Sequence, residues 1–206
     1  MSTMKKILRF IIDNIAFLIY RNKVSITGQN VKFYRTTSIK HIAGSISKNI
    51  ILKQNARIMG KIRIYKEGKI VIGKYSQLGH NSVIQCVNQI EIGDYTAIAQ
   101  NVTICDYNTH PVNPSDRIIM QLTPEGHSYR SPIYSVSAPI KIGNNCWIGE
   151  NSRICKGISI GDGAVIAACS VVTKDVPSNC IAAGNPAKIV KTDIDKSTTR
   201  FFSNNV

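Results

Sequence analysis

The stretch IGNNCWIGENSRICKGISIGDGAVIAACSVV, residues 142–172, sets an aliphatic side chain at Ile142, Ile148, Ile154, Ile160, Ile166 and Val172, every sixth position without a slip. Upstream the same pulse runs through Leu52, Ile58 and Ile64, restarts at Ile72, Leu78 and Ile84, and restarts again at Ile92, Ile98 and Ile104. A period of six matches neither the 3.6-residue turn of a helix nor, taken simply, the two-residue repeat of a strand. It matches a parallel β-helix with three short flat faces per coil. In such a coil every sixth side chain turns inward and stacks on its equivalent about 4.8 Å along the axis. Gly73, Gly93, Gly143, Gly149 and Gly161 follow or nearly follow inward positions, where the chain bends and leaves no room for a Cβ. A β-sandwich would need varied strand lengths and turns, whereas equal spacing specifies equal faces. The expected fold is an all-β solenoid.

Seven stretches carry a family resemblance: Ile92-Gly93-Asp94, Ala99-Gln100-Asn101-Val102-Thr103-Ile104, Thr109-His110-Pro111, Ile142 to Gly149, Gly161 to Ile166, Val171 to Pro177 and Ala183 to Lys188. In this order they resemble the hexapeptide-repeat acyltransferases, near the maltose, galactoside and xenobiotic O-acetyltransferase group. The resemblance implies a left-handed β-helix, acetyl-CoA as co-substrate, and a homotrimer with sites between adjacent prisms. It covers about residues 92–191, with the looser repeat extending it back to about residue 50.

The 206 residues suit one solenoid domain. The expected division is an amphipathic helix over 1–21, the β-helix over 22–191 with a long loop at about 106–139, and a tail over 192–206 that ends near Phe201-Phe202. The helix is read from a broad stripe of Ile7, Leu8, Ile11, Ile12, Ile15, Leu18 and Ile19, interrupted for a membrane span by Arg9, Asp13 and Asn14. This stripe is expected to pack over the open first coil. A peripheral membrane contact is the competing reading, with Lys5, Lys6, Arg9 and Arg21 facing anionic lipid. No secretory cleavage site follows the segment. Residues 22–50 read as a less regular opening region in which Ile26 and Val31 begin a distorted rung and His41 is a surface or packing residue. Eight-residue steps from Ile64 to Ile72 and from Ile84 to Ile92 predict two-residue insertions at corners.

Six cysteines at 86, 105, 146, 155, 169 and 180 form no CxxC pair and no cluster with metal-site spacing. They read as compact fillers in a reducing compartment, so the expectation is a cytoplasmic protein without a metal. The formal net charge is +14. With the positive residues taken as scattered through coils and tails, and with no basic helix or aromatic RNA-binding motif, a nucleic-acid partner is not expected. An anionic small substrate such as coenzyme A or a nucleotide-sugar fits the charge.

Between Ile104 and Ile142 stand 37 residues with five prolines, a length that often marks a loop closing an active site. His110 lies near its start. An imidazole can take the proton from a hydroxyl as that oxygen attacks a thioester carbonyl, and the Thr-His-Pro match implies that role for His110. The segment around Asn81 resembles the family segment whose asparagine touches the acceptor, with a corner-capping asparagine as the alternative. His80 and the aromatic Tyr75 and Tyr107 are candidate acceptor-binding residues. Asp106 could anchor His110, as could a backbone carbonyl. On the thioester side the resemblance implies Trp147 beside the coenzyme arm and Lys174 and Lys188 near its phosphates. Gly149, Ala167 and Ala168 keep the surface shallow for pantetheine.

The reaction expected is O-acetylation of a saccharide or glycan precursor. Alternatives are N-acylation of a nucleotide-linked amino sugar, antibiotic acetylation, a covalent route through Cys105, and a non-enzymatic binding module.

Overall fold

The computed structural model describes residues 3–65 and 67–198; the side chains of residues 3–10 and of Asp13 lie outside the description, and so do Arg200, Phe201 and Phe202. The chain winds as a left-handed parallel β-helix of three sheets. The first sheet contains Ile50–Lys53, Lys69–Ile72, Gln89–Ile92 and Ile140–Ile142 among its six strands. The second contains Arg57–Ile58, Gln77–Leu78, Ala97–Ile98, Trp147–Ile148 and Val165–Ile166 among its eight. The third contains Lys61–Ile64, Val83–Cys86, Thr103–Cys105, Arg153–Ile154 and Val171–Val172 among its six.

The sixfold pulse is the interior. Ile72 pairs with Ile92 and Ile92 with Ile142; Ile98 pairs with Ile148 and Ile104 with Ile154. The register therefore passes unbroken across the long segment, and these side chains are all at least 98 % buried. Each such aliphatic contributes on the order of 1.5–3 kcal/mol by leaving water.

One step of the pulse differs from the sequence reading. Ile62, not Ile64, stacks on Ile84, and Ile64 pairs with Cys86. The preceding corner is short, Met59 and Gly60 alone standing between Arg57–Ile58 and Lys61–Ile64 where residues 79–82 separate the equivalent strands of the next coil, so the inward position falls two residues early; a Cβ on Gly60 would stand 2.5 Å from the Ser82 carbonyl oxygen.

Glycine and asparagine divide the corner work. A Cβ on Gly73 would meet the Gly93 carbonyl at 2.2 Å, so glycine serves close approach there. Most left-handed corner positions are held by other residues, among them Asn55, Tyr75, Tyr95 and Asn145 at one corner and Asn81, Asn101 and Asn151 at the next, all with φ between 52° and 59°, while Gly163 at 68° continues the first corner.

Helix α1, Thr3–Tyr20, covers the first coil. Among the described side chains it does so through Ala16, Phe17 and Tyr20; of the stripe expected from the sequence, Ile7 and Leu8 lie outside the described side chains and Ile12 is half-buried. The Phe17 and Tyr20 rings sit 6.1 Å and 5.8 Å from the ring of the inward Phe33, and the Tyr20 hydroxyl donates to the Thr37 carbonyl at 2.7 Å. Ile11, Ile15, Leu18 and Ile19 are exposed. Aromatic rings fill the wide mouth of the open coil better than branched aliphatics, which is why they take the packing face. The opening rung begins as expected, with Ile26 paired to Leu52 and Val31 buried. His41 is tied to Ser45 and to the Lys23 carbonyl, a packing role. At the other end an antiparallel hairpin, Ile181–Gly184 with Ala187–Lys191, closes the second sheet.

Candidate active site

The long segment leaves the third sheet after Cys105 and returns at Ile140. Its root is tightly built. Both oxygens of the fully buried Asp106 accept backbone N–H groups, from Val87 and Asn88, each at 2.9 Å. The outgoing and returning strands zip together: Ala138 N–H donates to the Asp106 carbonyl, Asn108 N–H donates to the Val136 carbonyl, and Tyr107 bridges Ser137. Tyr107 is buried, its hydroxyl donating to Gln85 Oε1 at 2.9 Å and its ring edge-on to Tyr65.

Asp106 and Tyr107 thus hold the root of the loop and are buried, neither side chain being offered to solvent. Burial pushes the Asp106 carboxyl above the usual carboxylate range, against the two amides, which favour the charged form. Asp106 does not reach His110 by a hydrogen bond.

Two residues beyond the zipped root, His110 is exposed and makes no hydrogen bond among the described residues, leaving both ring nitrogens open to solvent. The segment is not wholly irregular, as its prolines suggested. Asn113 caps helix α2, Pro114–Leu122, by accepting from Ser115 N–H, and Pro114 fits the first turn, where no backbone donor is needed. Met120 buries the inner face of α2, while Val112, Ile118 and Leu122 stay exposed.

A second group of candidates gathers on the edge between the second and third sheets. His80, Gln100, Glu150 and Ala168 occupy equivalent places on successive coils, since each coil's next N–H donates down this edge: Asn101 to the His80 carbonyl, Asn151 to Gln100 and Cys169 to Glu150. Asn81 is exposed beside His80 in the left-handed corner.

His80 Nδ1 lies 2.9 Å from Thr36 Oγ1, whose hydroxyl donates to the Met59 carbonyl at 2.7 Å. Thr36 has one proton and spends it on Met59, so His80 Nδ1 is the donor of the pair and neutral His80 presents an unprotonated Nε2.

Trp147 lies on the outer face of the second sheet between Ala97 and Val165, 58 % exposed. Gly149 is flush with the next coil, where a Cβ would stand 2.5 Å from Ala168 N; its own N–H donates to the Ile166 carbonyl. With Ala167 and Ala168 this leaves a strip of small residues along the edge. Lys174 and Lys188 are exposed further along; the ion pair present among the described residues is Lys196 with Asp193, so neither lysine is neutralised.

Tyr75 stands apart, on the edge between the first and second sheets. There it stacks on Tyr95 with ring centroids 5.2 Å apart and lines a groove of about 280 Å³ with Lys32 and Arg57. Asn81 and the root of the His110 loop start from opposite ends of the third-sheet strands, and no hydrogen bond joins them.

Cys105, the sequence candidate for a covalent route, is buried and its thiol donates to the Tyr107 carbonyl. Burial pushes that thiol up, so the nucleophilic thiolate is disfavoured. All six cysteines are free, and among the described residues no three His, Cys, Asp or Glu side chains cluster as a metal site. No described helix is long and apolar enough to cross a membrane.

Residues 139–174 match the bacterial transferase hexapeptide (six repeats) family. The chain is 35 % identical over 149 residues to galactoside O-acetyltransferase of Escherichia coli strain K12, covering 72 % of this chain and 66 % of that one. It is 34 % identical over 165 residues to putative acetyltransferase YJL218W of Saccharomyces cerevisiae, covering 79 % and 74 %. The crystal structure of the polySia specific acetyltransferase NeuO superposes with a TM-score of 0.62 at 27 % identity, covering 87 % of this chain and 79 % of that one.

Proposed function

Since the chain belongs to the hexapeptide-repeat acyltransferase family, whose members transfer acyl groups from coenzyme A, we propose that it is an acetyl-CoA-dependent O-acetyltransferase acting on a saccharide hydroxyl. The observation that carries this reading is the presentation of His110. A buried carboxyl group and a zipped backbone fix the root of its loop, and the imidazole is left exposed, without a partner among the described residues. A hydroxyl needs its proton removed as it becomes a nucleophile, and an open imidazole is the group for that step. Two of the relatives act, by name, on a galactoside and on polysialic acid, which favours a saccharide acceptor.

Acetyl-CoA fits the second-sheet edge. Pantetheine lies along Gly149, Ala167 and Ala168 beside Trp147, and the phosphates meet Lys174 and Lys188. His110 takes the acceptor proton while the oxygen bonds to the acetyl carbonyl carbon. The Asn81 amide donates to the resulting oxyanion, the carbon–sulfur bond breaks, and the imidazolium returns its proton to the departing thiolate.

The loop and the edge lie at opposite ends of the third-sheet strands, which suits the homotrimer that the family resemblance implies, one chain's loop meeting its neighbour's edge. The helix over 1–21 and the tail over 192–206 flank a catalytic prism over 22–191. Thiol release from acetyl-CoA with paired acceptors differing only in hydroxyl against amine tests the reading. Acetyl ester formation on the hydroxyl member is expected; turnover confined to the amine member contradicts it.

A further inference from the structure

The positive charge is concentrated, not scattered as its overall count suggested. The first 65 residues hold thirteen Lys and Arg against the single acid Asp13, and residues 14–65 contain no Asp or Glu; the other 141 residues hold thirteen basic and eleven acidic side chains. Parallel register turns this bias into a surface. Lys40 pairs with Arg63 on the third sheet and Lys32 with Arg57 on the second, and all four are exposed. At a coil spacing of about 4.8 Å, the first three coils lie within roughly 15 Å of the α1 end, under two Debye lengths at physiological salt.

Helix α1 sits on that end with two apolar faces. Ala16, Phe17 and Tyr20 face the coil. Ile11, Ile15, Leu18 and Ile19 are 47 %, 51 %, 63 % and 53 % exposed, and at 3.6 residues per turn they fall in one sector of about 100° turned from the coil. Among the described side chains, those packed on the coil belong to the first face.

An isoleucine-rich face beside a rim without carboxylates matches one environment, the interface of an anionic bilayer. Acyl chains take the apolar face and lipid phosphates meet the rim. A soluble polyanion or nucleic acid would satisfy the rim and leave the isoleucines in water. A second copy seated end-on would bury the isoleucines but bring two rims of one sign together. We propose that the N-terminal end of the prism docks on anionic lipid, with the outer face of α1 in the interface and the first coils facing the headgroups. The docking is independent of which acceptor the enzyme uses.

Flotation of the full chain with phosphatidylcholine vesicles, with and without phosphatidylglycerol, tests this. The chain is expected to float with the phosphatidylglycerol vesicles, to stay behind with phosphatidylcholine alone, and to be released as salt rises. Ile15→Ser with Leu18→Ser should weaken binding about tenfold or more. Lys40→Glu with Arg63→Glu should do the same, and both double variants should keep the wild-type thermal transition because the altered side chains are exposed. Failure of the wild type to float with phosphatidylglycerol vesicles at low salt overturns the proposal. So does equal flotation of the serine variant, retention on heparin without vesicle binding, or lipid-free self-association in place of vesicle binding.

Discussion

Asn81 holds a left-handed corner and is proposed to touch the reacting oxygen, and one substitution separates the two jobs. Its φ of 58° is one that glycine adopts freely. Asn81→Gly therefore keeps the backbone and removes only the amide. Turnover is expected to fall by roughly tenfold to a hundredfold with little change in melting temperature, while Asn101→Gly, the same corner one coil on, leaves both unchanged. Full activity in Asn81→Gly would reduce Asn81 to a corner residue.

Asp106 makes a pH prediction. Burial raises its folded pKa above that of the unfolded chain, so folding favours the protonated carboxyl. Its contribution to stability is fully present below the ordinary carboxylate pKa of about 4 and is lost as pH rises through the higher folded value. Denaturant titrations of wild type and Asp106→Asn should diverge in favour of the wild type as pH falls from neutrality. A difference constant with pH would contradict this.

At the scale of the coil, the second-sheet edge is shaped by absence of side chains. A methyl group at Gly149 would stand 2.5 Å from Ala168 N, part of a backbone fixed by the inward stack. Gly149→Ala is expected to cost roughly 1–3 kcal/mol and to weaken coenzyme binding measured by calorimetry; unchanged affinity would remove this strip from the coenzyme site. The coils were legible because an inward aliphatic every sixth residue has no helical or simple strand explanation. The Met59–Gly60 corner was not, since Ile62 and Ile64 are equally apolar and only the neighbouring coil chooses between them. Helix α1 was legible as amphipathic, but its packing face was not: apolar residues lie on both sides, and the mouth of the coil selects the aromatic one. Helix α2 was hidden by the prolines around it, although Asn113-Pro114 is a recognisable start. Asp106 and Tyr107 looked like site residues because they precede His110. Sequence proximity does not reveal that the chain turns outward only after them, and the Thr36 anchor of His80 joins residues 44 apart.

For the whole molecule, the proposed site draws on the His110 loop of one chain and the Asn81 and Trp147 edge of its neighbour, so the proposal makes assembly part of catalysis. Native mass spectrometry is expected to show three chains. Co-expression of His110→Ala chains with Gly149→Ala chains should give more turnover at low acetyl-CoA than either variant alone, because some interfaces then combine an intact loop with an intact edge. Absence of any recovery would put both halves of the site in one chain. The central claim, acyl transfer to a hydroxyl with His110 as base, is tested most directly by mass analysis of the product formed from acetyl-CoA and a saccharide acceptor by wild type and His110→Ala. The account predicts an alkali-labile acetyl ester from the wild type and a rate about a hundredfold to ten-thousandfold lower in the variant. An alkali-stable amide whose formation survives the substitution would contradict it.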